Sequence, residues 1–149
     1  MTVHLTKRRG TPAIDRSKLI RRAQRLLKAL EHPSGELSLL LTGDEEMTAL
    51  NRTWRGKDKT TDVLSFCQRE GENAGLRPDV LGDVVISLAQ AQRQARRRRA
   101  SLWDEVLVLL VHGVLHLLGR DHEGTDRGRA DEMLREQKQL VSLLRRDQP

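Results

Sequence analysis

Three histidines in the last third of the chain have the spacing of ligands to one metal ion. His112 and His116 are four residues apart, so on a helix both imidazoles leave the same face. Gly119 follows where the helix must turn back, because glycine tolerates the positive φ that such a turn requires. The turn would bring His122 round as the third ligand. Three neutral nitrogen ligands with a fourth position open to water are typical of a catalytic zinc site.

The same spacing occurs in the metzincin peptidases, whose motif is H-E-x-x-H-x-x-G-x-x-H. In those enzymes the glutamate after the first histidine is the general base. Here Gly113 stands at that position and has no side chain. The chain therefore has the metal ligands without the group that peptide hydrolysis requires. We predict a metal-dependent hydrolase that is not a protease, with a metallopeptidase-like hydrolase as the alternative.

The cysteine content and the hydropathy exclude several other classes. Cys67 is the only cysteine, which excludes a C-x-x-C zinc site and an internal disulfide and favours a reducing cytoplasm. We expect its side chain to be a small buried hydrophobe. The longest apolar run, 106–111, is too short to span a membrane. We expect a soluble cytoplasmic protein with neither a membrane nor a disulfide partner.

The charge balance favours a polyanionic partner such as nucleic acid. The formal net charge is +6 at pH 7. The densest cluster of positive charge comprises Arg96, Arg97, Arg98 and Arg99. These are candidate nucleic-acid-binding residues, although an arginine run can equally be a solvated helix face. With two tryptophans, one phenylalanine and no tyrosine, the chain has too few aromatics for a stacking platform of the RRM or OB kind.

The length predicts a single domain, 1–149, whose last residues, 145–149, are frayed. The hydrophobic periodicity predicts the strands and helices that position the candidate site residues. Strands are predicted at 3–6, 36–42, 62–66 and 80–86. Helices are predicted to begin near 15, 43, 87, 102 and 125. The helix at 102–118 carries both His112 and His116 and is apolar nearly all round, so it must be buried.

Finer predictions concern a glycine, two helix starts and one helix face. Gly82 interrupts the strand 80–86, which indicates a bulge or a close backbone approach. Capping boxes are predicted at 42–45 and 87–90. The inward residues of the last helix are predicted to be Ala130, Met133, Leu134, Val141 and Leu144.

Three segments, taken in order, resemble the YbeY endoribonuclease family. Residues 50–66 read L-N-x-x-W-R-x-x-D-K-x-T-D-V-L-S-F, residues 81–87 read L-G-D-V-V-I-S, and residues 112–122 read H-G-x-L-H-L-L-G-x-D-H. The last segment is a specific signature, and the first two are weaker when taken alone. The chain departs from the family pattern at Thr60, Cys67 and Arg120, which concerns loop geometry and not the metal ligands.

The resemblance implies a bacterial single-strand-specific endoribonuclease that acts on ribosomal RNA, notably the 3′ end of the small-subunit RNA, and in ribosome quality control. It implies an α+β fold, with a small mixed sheet packed by about five helices and a zincin-like metal-binding helix. It also implies one Zn²⁺ per chain on His112, His116 and His122, Arg55 as a required residue of the cleft, and the small ribosomal subunit as a partner.

Several roles are left open by the residues themselves. Arg55 could stabilise the charge of a phosphodiester transition state, or it could form a surface ion pair. Asp121 could orient a metal-bound imidazole, or it could cap the turn. Asp83 could face the cleft, or it could fix the Gly82 bulge. The sequence shows no general base, and a non-catalytic ribosome-assembly factor stabilised by zinc is a further alternative.

Overall fold

The computed structural model of this protein describes residues 2–68, 79–120 and 127–146, the last range with its side chains from residue 131 onward. The predicted alternation of strands and helices is present in these ranges. The elements are β1 (Thr2–Lys7), α1 (Arg16–Ala29), β2 (Glu36–Thr42), α2 (Asp44–Arg55), β3 (Val63–Cys67), β4 (Val80–Ser87), α3 (Leu88–Arg98), α4 (Leu102–Leu117) and α5 (Arg127–Arg145).

The strands of the described ranges form one mixed sheet in the order β1-β2-β4-β3. β1, β2 and β4 are mutually parallel, whereas β3 is antiparallel to β4. Parallel neighbours need a crossover connection, which α1 provides between β1 and β2. The fold is therefore α+β with a small mixed sheet, as predicted, and β3 lies at one edge.

Gly82 lies at a bulge in β4, as predicted from the sequence. Glu36 pairs with Val80 and Leu37 with Gly82, so β4 contains one extra residue at this point. Gly82 has φ +142°, and a Cβ there would lie 2.1 Å from the carbonyl oxygen of Phe66. The bulge and the close backbone approach both require glycine.

The main core lies between one face of the sheet and the helices α1 and α4. α4 contacts β3 and β4, while α1 contacts β1. The prediction that α4 is buried is confirmed by its fully buried side chains, which include Val106, Leu107, Leu110, Val111, Val114 and Leu115. Across the described residues, no single helix is both long and apolar enough to cross a membrane. α3 and α4 pass that test only together, with a 116° bend between them.

Three helices begin with a side-chain N-cap. Asp15, Ser87 and Ser101 each accept a hydrogen bond from a backbone N–H in the first turn of α1, α3 and α4. Of the predicted capping box at 87–90 only the Ser87 half is present, because the backbone N–H of Ser87 bonds to the carbonyl of Asp62. The predicted capping box at 42–45 is wrong, because the N-cap of α2 is Gly43, which has no side chain to accept. Thr42 instead donates its hydroxyl hydrogen to the Glu46 carboxylate.

The inward face of α5 differs in one residue from the prediction. Val141 and Leu144 are buried and Met133 packs against the core, but Leu134 is 49% exposed, so its predicted burial is wrong. Leu134 lies on nearly the same side of α5 as the buried Val141, seven residues on, so its exposure depends on its place along the helix axis and not on its helix face. The prediction for Ala130 concerns a side chain outside the described residues.

Candidate functional site

His112 and His116 lie on the same face of α4, as their spacing predicted. Their Nε2 atoms are 2.8 Å apart, and their ring centroids are 4.3 Å apart. A tetrahedral zinc with Zn–N bonds of 2.0–2.1 Å would hold two such nitrogens about 3.3 Å apart. The two nitrogens therefore already converge on one point, and a small outward shift fits them to one ion.

The chain turns immediately after these histidines. Gly119 has φ +71° and donates its backbone N–H to the carbonyl of His116 at 3.0 Å. Arg120 donates its N–H to the carbonyl of Leu115, also at 3.0 Å. This pair of hydrogen bonds is the Schellman ending of a helix, which confirms the role predicted for Gly119.

The predicted third ligand, His122, and its neighbour Asp121 lie outside the described residues. Within the ranges that are described, no cluster of three or more metal-binding side chains is present. The described part of the site is thus a pair of histidines at the entry to the predicted turn.

Gln137 on α5 orients the first histidine. Its Oε1 lies 2.8 Å from Nδ1 of His112. An amide oxygen only accepts, so Nδ1 carries the hydrogen and the lone pair of His112 lies on Nε2, the atom that faces Nε2 of His116 and that a metal could bind in its place. The sequence analysis missed Gln137. Gln137 lies one helical turn from Met133 and one from Leu140, so the sequence places a polar side chain on the inward face of the last helix.

Arg55 lies with the two histidines in one cleft of about 300 Å³. Lys57 and Lys59 also line this cleft and add two positive charges. The side chains of Arg55 and both lysines are exposed. The end of α2 and the loop after it thus supply three cations to the cleft, and α4 supplies the two imidazoles. This combination suits a phosphate group beside a metal ion.

The cations of the cleft are positioned by the end of α2. α2 stops at Gly56, whose φ of +68° lets the chain leave the helix and return across the cleft. Asn51 donates its side-chain amide to the carbonyl of Lys59 at 2.8 Å, and it is only 3% exposed. This buried hydrogen bond fixes the loop that carries the lysines.

One carboxylate, Asp62, lines the cleft as well. It accepts hydrogen bonds from the backbone N–H of Val63 at 2.8 Å and from the side chain of Gln94 at 3.2 Å. Behind it lies Glu105, which is 2% exposed. Burial raises the pKa of Glu105 and the Asp62 carboxylate raises it further, against the opposing effect of Arg98.

Gly113, at the position of the peptidase general base, faces the sheet and not the cleft. A Cβ at this position would lie 2.7 Å from Cγ1 of Val84 and 3.2 Å from Cγ2 of Val63. A glutamate could not fit there without displacing the core. The geometry therefore excludes position 113 as a source of a general base.

The remaining predicted residues lie away from this cleft. Asp83 is on β4 and lines a separate groove, where its carboxylate accepts a hydrogen bond from Gln68 at 3.4 Å. The sequence allowed Asp83 either to face the histidine cleft or to fix the Gly82 bulge. The structure does not place it in the lining of the histidine cleft. The arginine run is exposed at the end of α3, where Arg99 forms the C-cap of the helix and Arg98 pairs with Glu105 at 3.5 Å.

Cys67 is half-buried against the core, with its thiol 3.5 Å from the carbonyl oxygen of Leu117. It was predicted to be buried outright, and the edge position of β3 explains the remaining exposure.

Comparison with known proteins agrees with the resemblance seen in the sequence. A family model described as "Endoribonuclease YbeY" matches residues 4–145. The Endoribonuclease YbeY of Geobacter sulfurreducens is 39% identical, over 97% of this chain and 96% of the relative. That of Syntrophotalea carbinolica is 41% identical, over 97% of each. The solution structure of TM1509 from Thermotoga maritima has a TM-score of 0.65 at 28% identity, covering 97% of this chain and 89% of that one.

Proposed function

This chain belongs to the endoribonuclease YbeY family, and we propose that it is a metal-dependent endoribonuclease that cleaves single-stranded RNA during ribosomal RNA maturation. The observation that carries the proposal is the shared cleft, in which Arg55 stands beside the converging Nε2 atoms of His112 and His116. Residues 1–149 form one domain for this activity.

The metal in this proposal is one Zn²⁺ held by His112, His116 and His122. The donor set fits it, since the contact with Gln137 favours the tautomer of His112 whose lone pair is on Nε2, facing His116. When bound, such an ion supplies Lewis-acid polarisation of a phosphoryl oxygen and lowers the pKa of a coordinated water.

The cations of the cleft bind the scissile phosphate. The guanidinium of Arg55 donates paired hydrogen bonds to two phosphoryl oxygens, and these bonds strengthen as negative charge grows in the transition state. Lys57 and Lys59 add attraction without a fixed geometry. Because the three side chains are exposed before RNA binds, they are available to the substrate without breaking the core.

The biological substrate that we propose is ribosomal RNA near the 3′ end of the small-subunit RNA, on the small ribosomal subunit in the cytoplasm, with a further role in ribosome quality control. The net charge of +6 suits such a polyanion. The exposed cluster of Arg96, Arg97, Arg98 and Arg99 contacts the RNA backbone outside the cleft. Asp121 is the proposed carboxylate partner of a metal-bound imidazole.

Cleavage of a labelled single-stranded fragment from the 3′ end of small-subunit ribosomal RNA tests the proposal. Wild-type protein, a chelated sample and His116→Ala are compared, with the metal content measured on the same preparations. We expect about one zinc per wild-type chain and loss of cleavage in both controls. Full zinc occupancy without cleavage would contradict the nuclease activity.

Two alternatives make different predictions in the same experiment. A zinc-stabilised assembly factor without activity predicts that folded His116→Ala still binds ribosomes and that no variant cleaves RNA. A peptidase predicts chelator-sensitive cleavage of an unfolded protein substrate. The packing of Gly113 against Val84 disfavours the peptidase, because it leaves no room for the glutamate base.

A further inference from the structure

A second groove lies on the face of the sheet that turns away from α4. In β2, Leu37, Leu39 and Leu41 are buried in the main core, so the alternate residues Ser38 and Leu40 point to the opposite face. That face is only partly covered by α2 and leaves a groove of about 870 Å³. The volume is within the range of sites for small organic groups.

The groove has an exposed aromatic wall. Trp54 is 67% exposed, and its ring stands edge-on to Phe66 with 5.9 Å between the centroids. Among the described residues, the only large hydrophobic side chains that are exposed are Trp54 and Leu134. Phe66 holds the indole in place, while most of the surface of Trp54 faces solvent. A supported, exposed indole in a groove is suited to stacking on a planar group.

The groove adjoins the histidine cleft without being part of it. Trp54 and Arg55 are consecutive residues at the end of α2, and they line the groove and the cleft respectively. Ser65 lines both cavities. A chain whose phosphate is bound by Arg55 therefore has its neighbouring nucleotide within reach of Trp54.

The charges differ between the two cavities. In the groove, Arg8 is paired with Glu46 through two hydrogen bonds of 3.0 and 3.1 Å, and His4 is 3.0 Å from Glu36. A carboxylate thus already matches the charge of Arg8 in the groove, whereas the cleft presents three exposed cations against one carboxylate, Asp62. The cleft suits phosphate, and the aromatic groove suits an uncharged planar group.

We propose that this groove binds an unpaired base of the RNA substrate, stacked on Trp54, next to the phosphate held by Arg55. Gln68 and Asp83 line the groove next to Phe66, the cross-strand partner of Asp83, and provide an amide and a carboxylate that can hydrogen-bond the edge of the base. The proposal rests on the proposed nuclease function. It explains a preference for single strands, because a paired base is stacked in its own duplex and cannot enter the groove.

Kinetics and fluorescence test this subsite separately. Loss of one stacked base by alanine substitution typically weakens binding by roughly 5- to 150-fold. We expect Trp54→Ala to raise KM for single-stranded RNA by a factor in that range with kcat nearly unchanged, and Trp54→Phe to give a smaller rise. Leu134→Ala, which changes the other exposed hydrophobic side chain, should keep the wild-type KM.

Fluorescence gives a readout that does not depend on cleavage. Trp103→Phe leaves Trp54 as the only tryptophan. A short unstructured oligoribonucleotide should quench its emission, and the same strand annealed to its complement should not.

Unchanged KM in Trp54→Ala, together with no quenching, would overturn the base subsite while leaving the nuclease proposal standing. Quenching by RNA in a wild-type protein that does not cleave would support the subsite and contradict the nuclease. Unchanged KM combined with weaker binding of Trp54→Ala to small ribosomal subunits would overturn the proposal and assign the groove to docking on the subunit.

Discussion

Ser65 on β3 donates its hydroxyl hydrogen to the backbone carbonyl of Gly113 on α4, at 2.8 Å. Helix carbonyls are normally bonded along the helix, so this side-chain bond ties α4, which carries His112 and His116, directly to the edge strand. The close approach is possible because residue 113 has no side chain between α4 and the sheet. The glycine that removes the peptidase base is therefore also a packing residue.

Gly113→Ala should destabilise the protein by about 1–3 kcal/mol, the usual cost of overpacking a core. The new Cβ would lie 2.7 Å from Cγ1 of Val84, a β-branched side chain with no exposed surface. The measurement is the free energy of unfolding in urea. Val84→Ala in the same chain removes the clashing methyl groups, so the double variant should lose less than the sum of the two single changes. Additive losses would show that the contact with Val84 is not the cause.

Arg55→Glu should lower the rate of RNA cleavage by at least about 100-fold, the typical effect of removing a transition-state charge donor. Its side chain is exposed, so the thermal unfolding midpoint should stay close to that of the wild type. Single-turnover cleavage of single-stranded RNA measures the effect.

Arg21→Glu is the matched control for this charge reversal. It changes an exposed arginine on α1, the helix that packs against the opposite edge strand, β1. Equal losses in both variants would show that the effect is one of net charge and not of a specific phosphate contact.

Gln137→Leu should weaken metal binding by roughly 10- to 100-fold, the usual effect of losing a residue that orients a ligand. Without the acceptor at Nδ1, His112 is free to place its hydrogen on Nε2, the atom that faces His116. Gln137→Glu keeps an acceptor at the same place and should preserve the affinity. Titration with a competing chelator measures both values. Wild-type affinity in Gln137→Leu would exclude this positioning role.

Glu105→Gln should change stability in a pH-dependent way. Burial raises the pKa of Glu105 in the folded state, so folding favours its protonated form. Its ionisation then costs stability as pH rises from the unfolded pKa through the folded pKa. The neutral glutamine removes that loss. The thermal unfolding midpoint of the variant minus that of the wild type should therefore be larger at pH 8 than at pH 4. A difference that does not vary between these pH values would contradict the raised pKa.

Local features of the site could be predicted from the sequence because their cause is local. The i, i+4 spacing of His112 and His116 places both on one helix face whatever the rest of the chain does. Gly119 could be assigned to the turn for the same reason, since a positive φ favours glycine in any context. The bulge at Gly82 and most of the helix caps also follow from short-range chemistry.

Contacts between distant segments were decided by the tertiary structure. Gln137 reaches His112 from 25 residues away because α5 packs beside α4, and no local pattern distinguishes it from another polar helix residue. Leu134 is exposed although Val141, on the same side of α5, is buried, because the core covers only part of the length of that side. The burial of Glu105 also depends on how separate elements pack, and so does the presence of two separate cavities on either side of α2.

The sequence by itself determined which residues could bind a metal, which helix carries them, and the family signature that joins them to Arg55. The tertiary structure decided that Arg55 and the histidines share a cleft, that Gly113 faces the core, and that Trp54 faces a different cavity from its neighbour Arg55. Spacing along one helix is fixed by backbone geometry, whereas the meeting of separate elements depends on how the whole sheet and its helices pack.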